Sequence, residues 1–325
     1  MRAVLCKEFG PPESLVVEEV DAPTPGPGQA LIDVAAAGVN FPDVLIIQNK
    51  YQFKPPLPFT PGGEISGTVK QVGDGVTSLR VGDRILASTG IGAFAEQVAI
   101  SADSAIAIPD AMDFVTASAF LFTYGTSHYA LKDRGHLEAG ENLLVLGAAG
   151  GVGLAAVELG KVMGARVIAA ASSDEKLEVC KQHGADELIN YTNEDLKQRT
   201  KDLTAGKGAD VVYDPVGGDY AEAALRATNW QGRFLVIGFT AGIPRPPLNL
   251  VLLKGCDIVG VFWGAFVARY PERHLANVSE LMGWYEAGVL KPHVSGTYSL
   301  DDVADALNEV GNRKVKGKVV ITPRS

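Results

Sequence analysis

The sequence has few of the residues on which disulfide-stabilised and metal-stabilised folds depend. It contains only three cysteines and five histidines among 325 residues, and Cys6, Cys180 and Cys256 are scattered along the chain. Three scattered cysteines supply neither a disulfide framework nor a four-cysteine zinc lobe. We therefore expect a protein of a reducing compartment, the cytoplasm, whose stability depends on a hydrophobic core.

The chain also lacks a long apolar segment and an excess of positive charge. Its longest weakly polar run, residues 143–157, is too short to span a bilayer, and Arg2, Lys7 and Glu8 leave no apolar stretch for a secretory signal. Acidic residues outnumber basic ones 38 to 29, which gives a net charge of −9. Because nucleic-acid binding needs a basic face, we expect no nucleic-acid and no membrane partner, and a small-molecule ligand instead.

Hydrophobic residues make up 46% of the chain, and their pattern changes once along it. Up to residue 110, short strand-like segments recur between glycine, proline and aspartate turns, which is typical of a barrel-like β domain. From residue 113 onward, strands alternate with helices, and this βαβ alternation predicts a parallel, doubly wound sheet. Its six strands are predicted at 143–147, 166–171, 187–191, 210–214, 233–238 and 257–262.

The end of the chain departs from this alternation again. Two helices, at 272–286 and 300–310, and a closing strand at 318–321 are too few elements for a third domain. We expect them to return to the first domain, so that the alternating domain is an insertion. The predicted division is 1–122 and 265–325 for the first domain and 123–264 for the insertion. A helical region at 113–131, interrupted at 123–125, is predicted to lead into the insertion.

A glycine-rich turn follows the first strand of the alternating domain. Residues 147–153 read Gly-Ala-Ala-Gly-Gly-Val-Gly, between the apolar run 143–146 and a helical pattern that begins at Val152. Strand, glycine turn and helix form the arrangement that binds the pyrophosphate of a dinucleotide, because glycines let it approach the helix N-terminus. The alternative is a glycine-rich helix start that packs closely on the sheet and binds no ligand.

The end of the next strand favours NADPH over NADH. An NAD site carries an acidic residue there, which accepts hydrogen bonds from the ribose hydroxyls. This strand instead ends in Ser172-Ser173, with Lys176 three residues later, and two hydroxyls and a cation suit a 2′-phosphate. Asp174 is expected to point to solvent in the first turn of the following helix. Ser172 has a second interpretation, since with Glu175 it forms a capping box that needs no ligand.

The histidines do not form a metal site in the sequence, because none stands at ligand spacing from a cysteine or another histidine. A catalytic zinc site needs three protein ligands, so the pattern predicts no metal. His183, for example, falls in a C-terminal helical turn before Gly184, where a cation at the negative end of the helix dipole is common. Hydride chemistry would then depend on the cofactor and on hydrogen-bond donors.

Six short motifs are together specific, although no single one would be. They are GVNFPD at 38–43, PLPFTPG at 56–62, VGDR at 81–84, TYGT at 123–126, AAGGVG at 148–153 and DPVGG at 214–218. With these motifs, essentially the whole chain resembles the zinc-free quinone oxidoreductases, related to zeta-crystallin, of the medium-chain dehydrogenase/reductase superfamily. The resemblance implies a GroES-like β-barrel catalytic domain with an inserted Rossmann domain, an α/β fold.

The resemblance also implies what has replaced the metal ligands of the zinc-binding relatives. Their first cysteine ligand matches Asn40, their histidine ligand matches Gly63, and their second cysteine falls near Phe122. The hydroxyl that relays protons in those enzymes matches Pro42, which has none. Glu64 looks like the superfamily's glutamate beside the metal and is expected to be structural here.

Within the zinc-free branch, the resemblance implies roles for residues around the cofactor. Asn40 and Thr126 would lie near the nicotinamide and its ribose. Tyr191 could pack on the adenine or cap the core, and the sequence leaves both open. The pyrophosphate would be held by Gly150, Gly151 and Val152, the 2′-phosphate and adenine end by Ser172, Ser173, Lys176 and Tyr191, and the cofactor would be walled by Phe239, Thr240, Phe262 and Trp263.

The reaction that the resemblance implies is hydride transfer from NADPH to a quinone, an enone or an enoyl thioester. Each acceptor needs stabilisation of a developing oxyanion or enolate, and then a proton. Tyr51 is the candidate proton donor. In the enoyl-thioester reductases of this superfamily, a tyrosine at the matching position looks like the proton donor. The alternative is an apolar pocket wall of Tyr51, Phe53 and Phe59, since a phenol with a pKa of about 10 is a poor acid.

Three functions remain open on the sequence. The first is an NADPH:quinone or enone reductase. The second is an enoyl-thioester reductase, which should carry a basic groove for the carrier phosphate, with Arg245, Arg269 and Arg273 as candidates. The third is an NADPH-binding protein with little turnover, as crystallin and vesicle-protein relatives imply.

The sixth predicted strand, at 257–262, is apolar and is expected at an edge of the sheet. An uncovered apolar edge invites pairing with a second copy of the same chain. This pattern, together with the family resemblance, predicts a homodimer.

Overall fold

The computed structural model describes residues 1–324, and the chain forms two compact units. Met1–Phe122 and the segment from Pro292 onward make up one unit, which we call the β unit. Thr123–Lys291 makes up the other, the α/β unit. The first boundary lies between residues 122 and 123, as in the sequence-based division. The second follows Lys291 rather than residue 264, so the expected start of the C-terminal return is wrong.

The strands of the described residues fall into three sheets. A two-stranded hairpin and a seven-stranded sheet belong to the β unit, and a six-stranded sheet belongs to the α/β unit. The strands are β1 Arg2–Leu5, β2 Val16–Glu19, β3 Gln29–Gly38, β4 Glu64–Val72, β5 Arg84–Ser88, β6 Gln97–Ser101, β7 Ala105–Ala107, β8 Asn142–Leu146, β9 Arg166–Ala171, β10 Glu187–Asn190, β11 Ala209–Asp214, β12 Thr228–Val236, β13 Asp257–Gly260, β14 Val294–Tyr298 and β15 Lys318–Ile321.

The helices are mostly short. None that lies within residues 1–324 is long and apolar enough to cross a membrane. A π-helical segment, Tyr129–Arg134, continues the third helix. The α-helices are α1 Phe41–Ile46, α2 Phe114–Ser118, α3 Leu121–His128, α4 Gly151–Val162, α5 Asp174–Gln182, α6 Leu196–Leu203, α7 Tyr220–Ala227, α8 Leu248–Lys254, α9 Trp263–Arg269, α10 Pro271–Glu286 and α11 Val303–Gly311.

The sheet of the α/β unit is doubly wound, which confirms the sequence prediction. Its strands lie in the order β10-β9-β8-β11-β12-β13, and every neighbouring pair is parallel. Strands of such sheets are apolar runs because both faces are covered, and residues 143–146 of β8 are all fully buried. The strand order reverses between β8 and β11, so the carboxyl ends of these two strands border the crevice in which such folds bind nucleotides.

Helix α10 belongs to the α/β unit, although its sequence position suggested the returning segment. Oε2 of Glu280 lies 2.8 Å from Nε2 of His128, and Asn277 donates from Nδ2 to Oδ2 of Asp133 at 2.7 Å. Both contacts join α10 to residues in and just after α3, more than a hundred positions earlier. Helical periodicity carries no information about such partners, so it could not assign α10 to a unit.

One buried carboxylate holds both ends of the α/β unit. Oε2 of Glu158, in α4, accepts from the Tyr124 hydroxyl at 2.7 Å and from the backbone N–H of Lys291 at 3.1 Å. Its Oε1 lies 2.6 Å from Nδ1 of His183. His183 follows the last residue of α5, as predicted, but its ring is engaged by this carboxylate rather than only by the helix dipole. The chain therefore enters and leaves the unit beside one side chain.

The β unit is built around β3. This strand pairs with β4 along one edge and with β6 and β15 along the other, antiparallel in each case. The pairing places Val320 of β15 opposite Gly38, so the end of the chain lies beside the segment that leads into α1. Apolar side chains from β3, α1 and α11, including Ile32, Ile46 and Leu307, pack into one core.

The helical region before the α/β unit is broken at a different place from the predicted one. Helix α2 ends before Ala119, and residues 123–125 lie inside α3 rather than interrupting it. Glycine at position 125 reflects packing, because a Cβ there would lie 2.9 Å from Cζ2 of Trp263. The glycine that suggested a break thus marks a close contact on a continuous helix.

We expect the Gly67→Ala substitution to destabilise the β unit. A Cβ at this position in β4 would overlap the carbonyl oxygen of Asp33 in β3, so the paired strands would have to move apart. Overpacking of this kind costs about 1–3 kcal/mol. The midpoint of thermal unfolding, followed by circular dichroism, should therefore fall.

Gly311→Ala is the matched control in the same unit. Its Cβ would meet Cγ1 of Val44 at 3.4 Å, which is an ordinary contact, at the last residue of α11. Since alanine has the higher helix propensity, the midpoint for this variant should equal or slightly exceed that of the wild type. Equal midpoints for the two variants would contradict the argument from close strand contact.

Candidate functional site

The predicted pyrophosphate turn connects β8 to α4. Gly147 has a left-handed backbone, with φ of +55°, and Gly150 precedes the helix without a capping side chain over its first N–H groups. A Cβ on Gly153 would overlap the carbonyl oxygen of Gly147, so the helix approaches the turn more closely than any other residue allows. Uncapped N–H groups at a helix N-terminus bind anions. The turn therefore fits a pyrophosphate held by Gly150, Gly151 and Val152.

Helix α3 is fastened to this turn. Ser127 donates from Oγ to the carbonyl oxygen of Val152 at 2.8 Å, and the Tyr213 hydroxyl lies 2.8 Å from the same Oγ. Because the only hydroxyl hydrogen of Ser127 goes to Val152, Tyr213 is the donor in the second bond. Thr126, beside Ser127, is buried. The residue expected near the nicotinamide ribose is thus carried by a helix bonded to the pyrophosphate turn.

Ser127 and Tyr213 are supporting residues that sequence reasoning missed. The one signal for Ser127 was its position directly after the TYGT motif. Tyr213 lies in β11 among apolar residues, where an aromatic side chain indicates core and nothing more.

The expected 2′-phosphate end lies where β9 meets α5. Ser173, rather than Ser172, caps the helix, because its Oγ accepts from the N–H of Lys176 at 3.4 Å. The predicted Ser172 capping box is therefore wrong. Nζ of Lys176 instead donates to Oγ of Ser172 at 3.3 Å, which brings the cation and both hydroxyls together at the strand end. Asp174 is exposed, as expected, and its carboxylate also accepts from Nδ2 of Asn190 at 2.7 Å.

Tyr191 follows β10 and is partly buried against the core of the α/β unit. Its ring meets that of Tyr220 at 4.5 Å between centroids, tilted by 48°. These contacts support the interpretation in which Tyr191 caps the core, and stacking on adenine stays a prediction.

The turns after β11 and β12 pack on each other at the carboxyl end of the sheet. Thr240 donates from both N and Oγ1 to the carbonyl oxygen of Pro215, each at 3.3 Å. A Cβ on Gly217 would lie 3.2 Å from Cδ1 of Phe239, and Asp214 closes the turn by accepting from the N–H of Gly217 at 2.9 Å. Thr240 therefore joins the two turns, while the Phe239 side chain remains 39% exposed.

Phe262 and Trp263 differ in what they can contact. Phe262 is 56% exposed, whereas Trp263 is only 5% exposed and lies with its indole against Gly125. Trp263 therefore holds α9 against α3. Of these two predicted wall residues, Phe262 is the one available to a ligand.

In the β unit, Asn40 belongs to a buried polar network. Its Nδ2 donates to Oε2 of Glu64 at 3.0 Å and to the carbonyl oxygen of Gly38 at 3.3 Å. Nζ of Lys318 donates to Oδ1 of Asn40 and to the carbonyl oxygen of Val39, both at 2.8 Å, and to Oε2 of Glu64 at 3.3 Å. The amide of Asn40 is thus fully hydrogen-bonded within the chain, and a direct catalytic role for it stays a prediction.

Glu64 is structural, as its position led us to expect. It is 1% exposed, and its Oε1 accepts from the backbone N–H of Phe122 at 2.8 Å. The side chain of Lys318 is also buried, 6% exposed, so carboxylate and ammonium compensate each other's charge in the interior. Removing either one would leave the other as an uncompensated buried charge, which is costly.

Tyr51 follows α1 and packs against the core of the β unit. Burial, and then the negative charge of Asp43, raise the pKa of its hydroxyl above the ordinary value. The phenol is therefore protonated at neutral pH, and it is a proton donor only toward a strong base. Phe59 is buried in the same core while Phe53 is 50% exposed, so the suggested apolar wall is not uniform.

The positions that hold zinc in the zinc-binding relatives do not fit a metal here. Gly63 and Phe122 offer no side-chain ligand atom, and Oδ1 of Asn40 is held by the ammonium of Lys318, whose charge disfavours a second cation nearby. Within residues 1–324, no group of three or more histidine, cysteine, aspartate or glutamate side chains could hold a metal ion.

Family models match both units. Residues 26–110 match the alcohol dehydrogenase GroES-like domain, and residues 151–280 match the zinc-binding dehydrogenase family. The first range lies in the β unit and the second in the α/β unit. The predicted fold class, a GroES-like domain with an inserted Rossmann domain, is confirmed.

Known proteins are similar over the whole chain. The quinone oxidoreductase-like protein 2 homolog of Nematostella vectensis is 41% identical over 328 residues, which is 99% of this chain and 89% of that protein. A crystal structure of Escherichia coli quinone oxidoreductase complexed with NADPH has a TM-score of 0.93 at 30% identity, covering 99% of this chain and 100% of the other. The CurK enoyl reductase structure has a TM-score of 0.90 at 26% identity, covering 99% of each chain. The chain therefore belongs to the quinone oxidoreductase branch of the medium-chain dehydrogenase/reductase superfamily.

Proposed function

We propose that this oxidoreductase uses NADPH to reduce a quinone or a similar conjugated carbonyl compound, without a metal ion. The observation that carries the proposal is the pyrophosphate turn of α4 together with the Ser172, Ser173 and Lys176 cluster at the end of β9. Similarity to a quinone oxidoreductase solved with NADPH supports it. When bound, NADPH supplies the hydride, and the side chains of this protein orient it and provide the proton.

The proposed preference for NADPH over NADH depends on Ser172, Ser173 and Lys176, which lie together at the carboxyl end of β9. Ser172 accepts from Nζ of Lys176, which leaves its own hydroxyl hydrogen for a phosphate oxygen. Ser173 accepts from the N–H of Lys176 as the helix cap and has the same capacity to donate. The ammonium of Lys176 adds positive charge, and charge-assisted bonds to phosphate are stronger than neutral ones. NADH, which lacks the 2′-phosphate, makes none of these contacts.

Lys176→Ala should raise the KM for NADPH on the order of tenfold, because a hydrogen bond to a charged group is worth about 1.5–3 kcal/mol. The KM for NADH should change little. Steady-state kinetics with each nucleotide would measure the difference, and Lys181→Ala, on the exposed surface of the same helix, is the matched control. Equal effects of Lys176→Ala on both nucleotides would contradict the assignment of the phosphate end.

The proton is assigned to Tyr51. After hydride transfer, the acceptor carries a negative charge on oxygen. An enolate is basic enough to take a proton from a phenol of raised pKa, whereas the anion formed from a quinone is itself a phenolate and takes that proton less readily. Tyr51 follows the segment of Asn40 and α1, which the family resemblance places at the nicotinamide. Its ring is partly buried against the core of the β unit.

Tyr51→Phe should lower kcat on the order of a hundredfold at saturating NADPH, since general acid catalysis contributes about 10²–10⁴. The assay follows NADPH oxidation with 9,10-phenanthrenequinone and with a short enoyl-CoA. Tyr298→Phe, which removes a hydroxyl from another ring packed on the same core, is the matched control and should behave as wild type. Retained quinone reduction by Tyr51→Phe would mean that water supplies the proton and that Tyr51 only lines the pocket.

Reduction of an enoyl thioester is the second candidate function, favoured by the likeness to CurK enoyl reductase. Of the arginines considered for the carrier phosphate, Arg273 forms an ion pair with Asp133 at 3.2 Å and lies over the rings of Phe266 and Tyr270. The guanidinium of Arg273 is therefore engaged by neighbouring side chains, whereas Arg245 is exposed and accessible to a phosphate. Faster turnover with the enoyl-CoA than with the quinone would favour this function. Absence of turnover with both would leave NADPH binding without catalysis.

We also propose a homodimer formed through the edge of the parallel sheet. Strand β13 ends the strand order, with Ile258 39% exposed. Helix α8, which precedes it, exposes Leu252 by 79% and Leu253 by 65%. An apolar sheet edge beside an apolar helix face favours association with a second copy.

Ile258→Lys should convert the dimer to a monomer, because a charge would be placed at the centre of the proposed contact. Sedimentation velocity at micromolar concentration would measure the mass. Val81→Lys, which introduces the same charge at a 66% exposed apolar residue of the β unit, should leave the dimer intact. A monomeric wild type, or dissociation by both substitutions, would speak against this interface.

A cytoplasmic location remains part of the proposal. Cys6, Cys180 and Cys256 are all free and buried. Burial raises the pKa of each thiol, to about 12 for Cys180, so the protonated, unreactive form predominates. Such thiols are compatible with a reducing compartment.

A further inference from the structure

Ser127 connects the helix expected at the nicotinamide to the turn expected at the pyrophosphate. It lies in α3, is fully buried, and donates from Oγ to the carbonyl oxygen of Val152 at 2.8 Å. Val152 is the second residue of α4, and its N–H group is one of those assigned to the pyrophosphate. One residue of the turn therefore presents its N–H to the proposed cofactor and its carbonyl oxygen to α3.

Tyr213 holds the Ser127 hydroxyl from the sheet. Its own hydroxyl lies 2.8 Å from Oγ of Ser127, and its side chain is fully buried. Burial raises the pKa of the phenol, so the hydroxyl stays protonated and can donate. Ser127 accepts this hydrogen while its own goes to Val152, so both hydroxyl hydrogens of the pair have acceptors. Because Tyr213 lies opposite Val145 where β11 pairs with β8, the pair is fixed to the central strands of the sheet.

Thr126 is the residue whose position depends on this pair. It directly precedes Ser127 in α3 and is 8% exposed. Among residues 1–324, no group forms a hydrogen bond with its hydroxyl, so the fold does not use this polar atom. The family resemblance places Thr126 near the nicotinamide and its ribose. A movement of α3 relative to the turn would displace Thr126 without altering the cluster at the end of β9.

A second bond joins the same two helices farther from the turn. Tyr124 lies one helical turn before Ser127, on the same face of α3, and donates to Oε2 of Glu158 at 2.7 Å. Glu158 lies farther along α4 than Val152 does. This bond remains when the bond of Ser127 is removed, so the removal acts on the part of α3 that is nearest the turn.

We infer that Ser127 and Tyr213 are positioning residues of the reductase, which fix Thr126 against the nicotinamide when NADPH is bound. This inference rests on the proposed function and deepens it. Tyr213 acts through Ser127, and Ser127 acts through α3 and the turn. Because a misplacement of about 1 Å can cost on the order of a hundredfold in rate, loss of the pair should slow hydride transfer more than it weakens NADPH binding.

Ser127→Ala removes the bond to Val152 and leaves the buried Tyr213 hydroxyl without its acceptor. Since a buried donor without a partner is costly, the midpoint of thermal unfolding should fall. The rate of NADPH oxidation in a single turnover, measured by stopped flow with 9,10-phenanthrenequinone, should fall at least about tenfold. The Kd for NADPH should change little, because the phosphate contacts are unaltered.

The double variant Ser127→Ala/Tyr213→Phe separates positioning from stability. Replacing both partners by apolar groups removes the unsatisfied hydroxyl, so the unfolding midpoint should return toward that of the wild type. The single-turnover rate should stay as low as in Ser127→Ala, since the bond to Val152 is still missing. A rate that recovers together with the midpoint would indicate a merely structural role and would overturn the inference.

Thr204→Val is the matched control. The Thr204 hydroxyl is also buried, donates to the carbonyl oxygen of Thr200 at 2.8 Å and accepts from the N–H of Gly208 at 2.8 Å. It precedes β11, however, and so lies at the amino end of that strand. This substitution should lower the unfolding midpoint and leave the single-turnover rate unchanged. Equal losses of rate in Thr204→Val and Ser127→Ala would contradict the inference.

A spectroscopic measurement does not depend on turnover. The fluorescence of bound NADPH reports on the surroundings of its nicotinamide, so its emission should shift toward that of free NADPH in Ser127→Ala and in the double variant, but not in Thr204→Val. Wild-type emission in both Ser127 variants would overturn the inference while the reductase activity stands. A wild type that binds NADPH but reduces neither the quinone nor a short enoyl-CoA would instead overturn the proposed function, and the emission spectra would still decide the positioning.

Discussion

The β unit depends on one buried ammonium. Lys318 lies in the last of the described strands, and its three hydrogen bonds reach Val39, Asn40 and Glu64, which lie between 254 and 279 residues earlier. Through Glu64 the same charge is connected to the backbone of Phe122, the last residue before the α/β unit. The position of α1, and with it of Asp43 and Tyr51, therefore depends on a charge that the C-terminal segment supplies.

In the α/β unit, close contacts at two glycines fix the positions of the helices, as the buried ammonium does in the β unit. Glycine at 153 lets α4 approach the end of β8, and glycine at 125 lets α3 receive the indole of Trp263. The bond from Ser127 to Val152 then connects the two helices. The turn proposed to hold the pyrophosphate and the helix that carries Thr126 are thus one packed structure.

The architecture could be predicted from the sequence, but the hydrogen-bond and ion-pair partners of the polar side chains could not. The parallel sheet follows from apolar runs such as 143–146, and the glycine turn follows from its place between strand and helix. The assignment of α10 failed because its partners, His128 and Asp133, are far away in sequence. The interruption expected at Gly125 failed because the glycine serves packing rather than a turn. The network around Lys318 could not be foreseen, since a single lysine in a short apolar strand gives no sign of which carboxylate it will meet.

The two contacts of Glu158 have a consequence for how such a protein is assembled. Tyr124 and Lys291, at the start and end of the α/β unit, both bond to one oxygen atom, so the two ends of a segment of more than 160 residues lie side by side. In chain order, the whole α/β unit is therefore inserted into the β unit in the way that a single loop would be. A domain whose ends are pinned together in this way can be acquired, exchanged or permuted as a module, because the host chain needs only one point of interruption.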